Sequence, residues 1–336
     1  MTALVRVAAL TNFDEVARQF GLDARKLLAK AGLSRTTLAD PEQEIRADVA
    51  AAILEEAAAA SGCESFGLRM AALRQTSDLG VISLMLTHQP TLRDSLNMLI
   101  RYRYLMNKSL VVQMEDMGRN VILREELVTS LAIPARQATY LATGTLLRLC
   151  LSQLGQQWRP KSVHFTHDAP ADIEYHRRFF GCKLEFGSNF NGIVSPAADF
   201  DRPNPHADPA LVRYAQRYVD TLSDSNEPEL ELEVRRAIYL LLPLRRATIE
   251  QVAPMLGMSV RTLQRRLDEC GEAFTPLVNG VRRDLVKRYL VNASYSLGQI
   301  AELLGYAQQG AFTRWFAAQF GMAPGKWREG GNDGSH

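Results

Sequence analysis

The sequence predicts two domains of different class: an α+β domain at the N-terminal end and an all-α domain over the last hundred residues. Three observations predict this. First, the C-terminal stretch carries one helix-turn-helix pattern twice. Val252, Ala253, Leu256 and Gly257 recur 48 positions later as Ile300, Ala301, Leu304 and Gly305. One additional residue in the second turn moves the offset to 49, so that Leu263, Arg265 and Leu267 recur as Phe312, Arg314 and Phe316. Self-similarity at a fixed spacing marks a repeated structural unit. Second, the first two-thirds mixes helical periodicity with short β-branched runs, the pattern of an α+β domain. Third, 336 residues suffice for two or more cores, and 46% hydrophobic with 23% charged residues is ordinary for a globular chain.

In the all-α domain each element follows from local chemistry. Thr248 with Gln251, and Ser296 with Gln299, have the spacing of capping boxes, which satisfy the first free N–H groups of a helix. The small Ala253 and Ala301 let the first helix of each copy lie close to the second. Gly257 and Gly305 supply the turn. Ser259 caps the second helix of the first copy, whose buried face is Val260, Leu263 and Leu267. Arg261, Thr262, Gln264, Arg265 and Arg266 then point outward, and in the second copy the outward residues are Gln308, Gln309, Thr313 and Arg314. Arginine is bidentate to guanine, glutamine is bidentate to adenine, and the major groove admits one helix. A solvated helix face explains one such copy. Two copies in register, both with Gln and Arg outward, favour base reading on double-stranded DNA.

Between the copies, Phe274-Thr275-Pro276 reads as an N-cap followed by proline at the first helical position. Leu277, Val281, Leu285 and Tyr289 give this linker helix one apolar stripe. Held about one duplex turn apart, roughly 34–36 Å, the two reading helices would enter successive major grooves. Arg282, Arg283, Lys287 and Arg288 suit either phosphate contacts or a solvated face.

In the α+β domain, Phe13–Leu27 imitates a third helix-turn-helix, but Asp23 stands where the groove would be, so it is read as a structural helical hairpin. Helices are expected over Ile45–Ser61 and Thr91–Met106. A β-hairpin is expected from Leu110–Met114 and Asn120–Arg124 around Glu115–Gly118. A long amphipathic helix follows over Arg136–Leu154, then a strand at Ser162–Thr166, a helix near Ala171–Phe180, and strands near Lys183–Phe186 and Gly192–Val194. Pro203, Pro205 and Pro209 close the domain. The expected divisions are 1–207, a linker over 208–228 with a helix from Pro209 to Leu222, and 229–329 with motifs at about 248–268 and 296–317. The tail Gly330–His336 reads as disordered.

Charge separates the two parts. From Arg235 onward, 14 Lys/Arg face 8 Asp/Glu, a net of +6, while residues 1–234 hold 25 against 29, a net of −4. The positive charge sits on the repeat, where phosphate attraction needs it. Cys63, Cys150, Cys182 and Cys270 are scattered without a CxxC, which suits a reducing cytoplasm and argues against structural zinc. No apolar run has the length of a membrane span and no secretory signal opens the chain.

Signs of catalysis are sparse. His164-x-x-His167 on a strand turns its rings to different faces, which does not suit a metal. No GxSxG, Walker-type loop or GxGxxG is present. Arg101-Tyr-Arg-Tyr104 reads as two buried tyrosines with two solvated arginines in preference to an anion pocket. Neither an enzyme, a metal nor a cofactor is expected.

The segments Leu256–Leu267, Arg282–Leu290, Ile300–Tyr306, Phe312–Phe316 and Phe320–Arg328 together resemble the AraC/XylS transcription regulators over roughly 229–328. That resemblance implies recognition helices in adjacent major grooves, with Arg261, Gln264 and Arg265 reading bases from the first and Gln308, Gln309, Thr313 and Arg314 from the second. More weakly, Gly21-Leu-Asp23, Ala31-Gly-Leu33, Leu79-Gly-Val81, Pro90–Leu96 and Phe179-Phe-Gly181 resemble the arabinose-binding-like N-terminal domain of one branch of the family. This implies a small-molecule effector, dimerisation through the same domain, RNA polymerase as a partner and, more often than not, activation. The resemblance names no pocket residues. Two alternatives stay open: a constitutive regulator whose N-terminal domain only dimerises, and an enzyme carrying a DNA-binding appendage. The chain departs from the family pattern at Pro254, which should bend the first helix, at Gly310, and at Trp315.

Overall fold

A computed structural model of the chain describes residues 3–128, 135–223, 230–291 and 295–330. The described residues up to 223 cluster as one unit and those from 230 as another.

In the N-terminal unit β1 (Leu4–Arg6) pairs antiparallel with β2 (Glu44–Arg46), and α1 (Phe13–Gln19), α2 (Ala24–Lys30) and α3 (Arg35–Ala39) lie between them in sequence. Four helices follow: α4 (Ala47–Ser61), α5 (Phe66–Leu73), α6 (Ile82–Thr87) and α7 (Leu92–Tyr102). Then come β3 (Leu110–Met117), β4 (Asn120–Leu127), α8 (Arg136–Leu154), β5 (Ser162–His164), α9 (Glu174–Phe180), β6 (Lys183–Glu185), β7 (Asn191–Pro196), α10 (Ala197–Phe200) and α11 (Pro209–Ser223). The last five strands form one sheet in the order β3-β4-β7-β5-β6, antiparallel except for the β5–β6 pair.

Helix α8 organises the core, packing on α4, α5 and the strands β4 and β7. It meets α5 closely because two glycines allow it: a Cβ on Gly144 would lie 2.6 Å from Ala71 Cβ, and one on Gly67 would lie 2.0 Å from the Gln137 carbonyl oxygen. The hairpin of α1 and α2 is structural. Asp23 accepts the backbone N–H groups of Arg25 and Lys26, while Val16, Ala17, Ala24 and Leu28 are buried. Its acid serves as the N-cap of α2.

Several boundaries differ from expectation. The hairpin strands run to Met117 and Leu127 instead of Met114 and Arg124; in the first, Glu115 pairs with Arg124 at 3.1 Å and Asp116 with Arg93 at 3.2 Å. Charged residues that looked like turn are therefore strand. The three-residue strands β1 and β2 are too short to show periodicity. The expected linker over 208–228 is, to Ser223, the helix α11; it packs on α6 within the N-terminal unit through the buried Ala215 and Val219. Residues 224–229 and 331–336, with the rest of the linker and most of the expected tail, lie outside the described residues.

The C-terminal unit is all helical: α12 (Leu230–Leu241), α13 (Ile249–Met255), α14 (Val260–Glu269), α15 (Phe274–Val291), α16 (Leu297–Leu303), α17 (Gln309–Phe320) and α18 (Pro324–Gly330). Helix α12 packs on α13, α14 and α15, and α15 continues to α16 and α18. The linker helix buries Leu277, Val278, Val281, Leu285, Val286 and Leu290, a face wider than one stripe. It begins at Phe274, so Pro276 stands at the third position instead of the first; the first turn has no intrahelical partner for its N–H groups, so proline costs little there.

Candidate nucleic-acid interface

The two helix pairs α13–α14 and α16–α17 share their local design. Each first helix has seven residues, and each turn holds a glycine in the left-handed region, φ 68° at Gly257 and 76° at Gly305. A side chain there would be strained, and at Gly305 a Cβ would also press on the Leu242 carbonyl at 3.2 Å. Pro254 sits one residue from the end of α13, and α13 is as long as α16, so the expected disruption is confined to the last turn. Ala253 and Ala301 are buried where the helices cross.

The caps are unequal. Ser296 and Gln299 close the expected capping box, with Ser296 N–H to Gln299 Oε1 at 2.8 Å and Gln299 N–H to Ser296 Oγ at 3.2 Å. Thr248 and Gln251 do not. The Thr248 side chain makes no cap hydrogen bond, and Gln251 Oε1 accepts from Arg246 Nη2 at 2.9 Å instead. The Thr248 hydroxyl serves the Glu250 carboxylate, which backbone and hydroxyl hydrogen bonds hold below its usual range. Ser259 caps α14 through the Thr262 N–H at 3.1 Å. Gln308, at the N-cap of α17, makes no side-chain cap.

On α14, Leu263 and Leu267 are buried, and Arg261, Gln264, Arg265 and Arg266 are exposed on the opposite face. Thr262 is half-buried, its hydroxyl 2.8 Å from Ser259 Oγ. Arg265 lies 3.8 Å from Glu269, a solvent-exposed contact of little weight. On α17, Phe312 and Phe316 are buried while Gln308, Gln309 and Arg314 are exposed. Thr313 is half-buried and donates to the Gln309 carbonyl at 3.0 Å. The exposed groups bring the forked donors and amides that base edges require, while the two threonine hydroxyls are occupied locally. Arg266 shares the exposure of its neighbours and was named outward from the sequence but not as a base reader.

Arg282 takes a different role from either expected one. Its Nε donates to the Leu304 carbonyl at 3.1 Å and its guanidinium lies 4.4 Å from the centre of the Tyr306 ring. It therefore fastens the linker helix to the turn of the second copy. Burial holds the Arg282 guanidinium below its ordinary range and pushes the Tyr306 hydroxyl up to about 12. Trp315 finds room among Tyr306, Phe312 and Phe320, with ring centres 5.9–6.4 Å away.

The N-terminal unit contains an apolar cavity of about 140 Å³, walled by Ala47, Ala50 and Leu54 of α4 and by Leu141, Leu146 and Leu149 of α8. Arg6, Arg74, Arg103 and Asp78 also line it. The cluster Arg101–Tyr104 divides: Tyr102 is buried and donates to Asp220 at 2.8 Å, Arg101 is exposed, and Arg103 faces the cavity. His164 bonds Ser162 and Ser188, while His167 packs against Tyr140 and Phe186. Among the described residues no helix is long and apolar enough to cross a membrane.

Residues 21–204 match the arabinose-binding N-terminal domain of AraC transcription regulators, and residues 233–330 match a helix-turn-helix domain. The chain belongs to the AraC family of transcription regulators. Among its AraC-type relatives, the HTH-type transcriptional regulator VirS of Mycobacterium tuberculosis is 28% identical over 328 residues, covering 97% of this chain and 96% of its own. The ornithine utilization regulator of Pseudomonas aeruginosa is 24% identical over 332 residues, covering 97% and 96%. The crystal structure of transcriptional regulator CdpR from Pseudomonas aeruginosa aligns with 91% of this chain and 96% of its own, at 18% identity and a TM-score of 0.44. As an AraC-family member the protein is a DNA-binding transcriptional regulator and not an enzyme.

Proposed function

We propose that the protein is a cytoplasmic, dimeric, sequence-specific activator of transcription controlled by a small metabolite bound in the N-terminal unit. The observation that carries the DNA-reading part is the pair of outward faces on α14 and α17, each presenting Gln and Arg above a buried apolar stripe. Arg261, Gln264 and Arg265 contact base edges from the first helix, with Thr262 at its capped start. Gln308, Gln309, Thr313 and Arg314 do so from the second, with RNA polymerase as the downstream partner. The cavity between α4 and α8 supports ligand control. Activation is favoured by one relative, the transcriptional activator NphR of a Rhodococcus species, 27% identical over 145 residues and 39% of this chain. A metabolite acts only if it binds the two states of the regulator with different affinity.

The test is fluorescence anisotropy of the full-length protein on its own upstream DNA across a salt series, with a metabolite panel at fixed salt. Selective, salt-dependent binding that one metabolite alters is the expected result. Selective binding that none alters would leave a constitutive regulator, and equal binding to scrambled DNA would remove the assignment of base-reading residues.

A further inference from the structure

The cavity of the N-terminal unit joins two chemistries that rarely meet without a ligand. Its walls are alanine and leucine from α4 and α8, helical stripes in which the small residues leave the space. Set into this wall is Arg74, 6% exposed. Among the described residues its side chain makes one hydrogen bond, from Nη2 to the Ala9 carbonyl at 2.5 Å, and its Nε is buried without a partner. No carboxylate among the described residues lies within ion-pair distance; Asp78 acts on it only through space. Arg6 also lines the cavity with its Nε buried and unbonded, but its Nη1 is held by Glu42 at 2.7 Å. A buried guanidinium without a counter-ion is costly, and apolar walls cannot offset that cost.

We propose that this cavity is the effector site and that it takes a compact apolar monocarboxylate, the carboxylate paired with Arg74 and the hydrocarbon body against the alanine wall. A carboxylate matches the guanidinium fork with two charge-assisted hydrogen bonds. Cavities of this size admit a benzene-sized body, so the class is acids of about six to eight carbons. A sugar would need polar partners around its whole circumference, whereas the α4 and α8 side of the cavity, Ala47, Ala50, Leu54, Leu141, Leu146 and Leu149, offers none. A zwitterion would need a free carboxylate for its ammonium, and Asp78 is engaged in capping through the Gln75 N–H at 3.0 Å. The proposal rests on the reading of this unit as ligand-binding.

The experiment is calorimetric titration of the full-length protein, without DNA, by hexanoate, hexanamide, norleucine and L-arabinose. Hexanoate should bind at least tenfold tighter than the other three. Arg74→Gln should weaken hexanoate roughly 10- to 100-fold and leave hexanamide unchanged. Ala142→Leu, on the cavity wall, should abolish binding of both. Tighter binding of norleucine or arabinose overturns the ligand class while leaving ligand control intact. Equal binding of hexanoate and hexanamide removes the role of Arg74 without needing any variant. No binding by any probe up to millimolar concentration, with DNA selectivity retained, overturns the site and leaves the DNA-reading half of the function standing.

Discussion

The two helix-turn-helix copies share a framework and differ in their core residues and in the charge on their outer faces. Their first helices have the same length, their turns use the same left-handed glycine, and their crossing alanines are both buried. The first copy has an aliphatic core of Leu263 and Leu267 and an outer face with three exposed arginines. The second has Phe312 and Phe316 at its core, flanked by Tyr306 and Trp315, and exposes one arginine on its reading helix. Backbone requirements at the turn admit few residues, whereas a helix face tolerates any side chain that packs or stays wet. Duplication therefore keeps the angle between the helices and lets the faces specialise. In these terms the first copy is the charged reading head, and the second is a rigid aromatic block fastened to the linker helix by Arg282.

The largest effects should come from the cores. Phe312→Ala should cost about 3–5 kcal/mol and Leu263→Ala about 2–5 kcal/mol, with Phe312 at the upper end because it also loses ring contacts to Tyr306, Trp315 and Phe316. Amide exchange in the intact protein reads both. Phe312→Ala should raise exchange in α16–α18 and spare α13–α14; equal rises in both copies would show that they unfold as one body.

Base reading comes next. Arg261→Ala or Gln264→Ala should cost about 1–3 kcal/mol on the operator and relax base preference at one position. Anisotropy on operator and scrambled duplexes measures it, and unchanged discrimination in both variants would move the reading face elsewhere. The comparison sharpens with salt. Each phosphate contact contributes about 0.9 to the slope of log K against log salt. Removing Arg266, exposed beside the base readers but not assigned to a base edge, should flatten that slope by about 0.9, whereas removing Arg314, assigned to a base edge, should relax base preference and leave the slope nearly unchanged. A larger loss from Arg314 would reverse the roles assigned to the two copies.

Much of this was legible before any coordinates. The repeat offset located both turns, and the stripe of Val260, Leu263 and Leu267 identified the buried side of α14, because a 3.6-residue period leaves one face apolar. The helix Arg136–Leu154 also falls where its pattern placed it. What escaped were features decided by distant partners. Glu115 and Asp116 read as turn and are strand, where Arg124 of the paired strand and Arg93 of α7 neutralise them. Arg282 suits a phosphate contact or a solvated face by sequence alone, and in the fold it is a tie to the Leu304 carbonyl, 22 residues away. The cavity was the least legible part, since an alanine beside a void and an alanine beside a leucine read alike in sequence.

The capping boxes test how far a local motif can be trusted, and they carry the smallest effect. Both sequences have a hydroxyl residue followed by glutamine three positions on, yet only Ser296 and Gln299 exchange their hydrogen bonds. The difference lies in what surrounds the two residues: Arg246 Nη2 donates to Gln251, the Thr248 N–H donates to the Arg246 carbonyl at 2.8 Å, and the Thr248 hydroxyl serves Glu250. Ser296→Ala should therefore cost about 1 kcal/mol, the usual value of a working N-cap, and Thr248→Ala only a few tenths. Thermal unfolding of each variant beside the parent protein gives the ranking. Arg246→Ala frees Gln251 but keeps the Thr248 N–H on the carbonyl of residue 246, so the cost of Thr248→Ala should stay at a few tenths in that background. If Thr248→Ala is already as costly as Ser296→Ala with Arg246 in place, the two copies are capped alike and this contrast between them disappears.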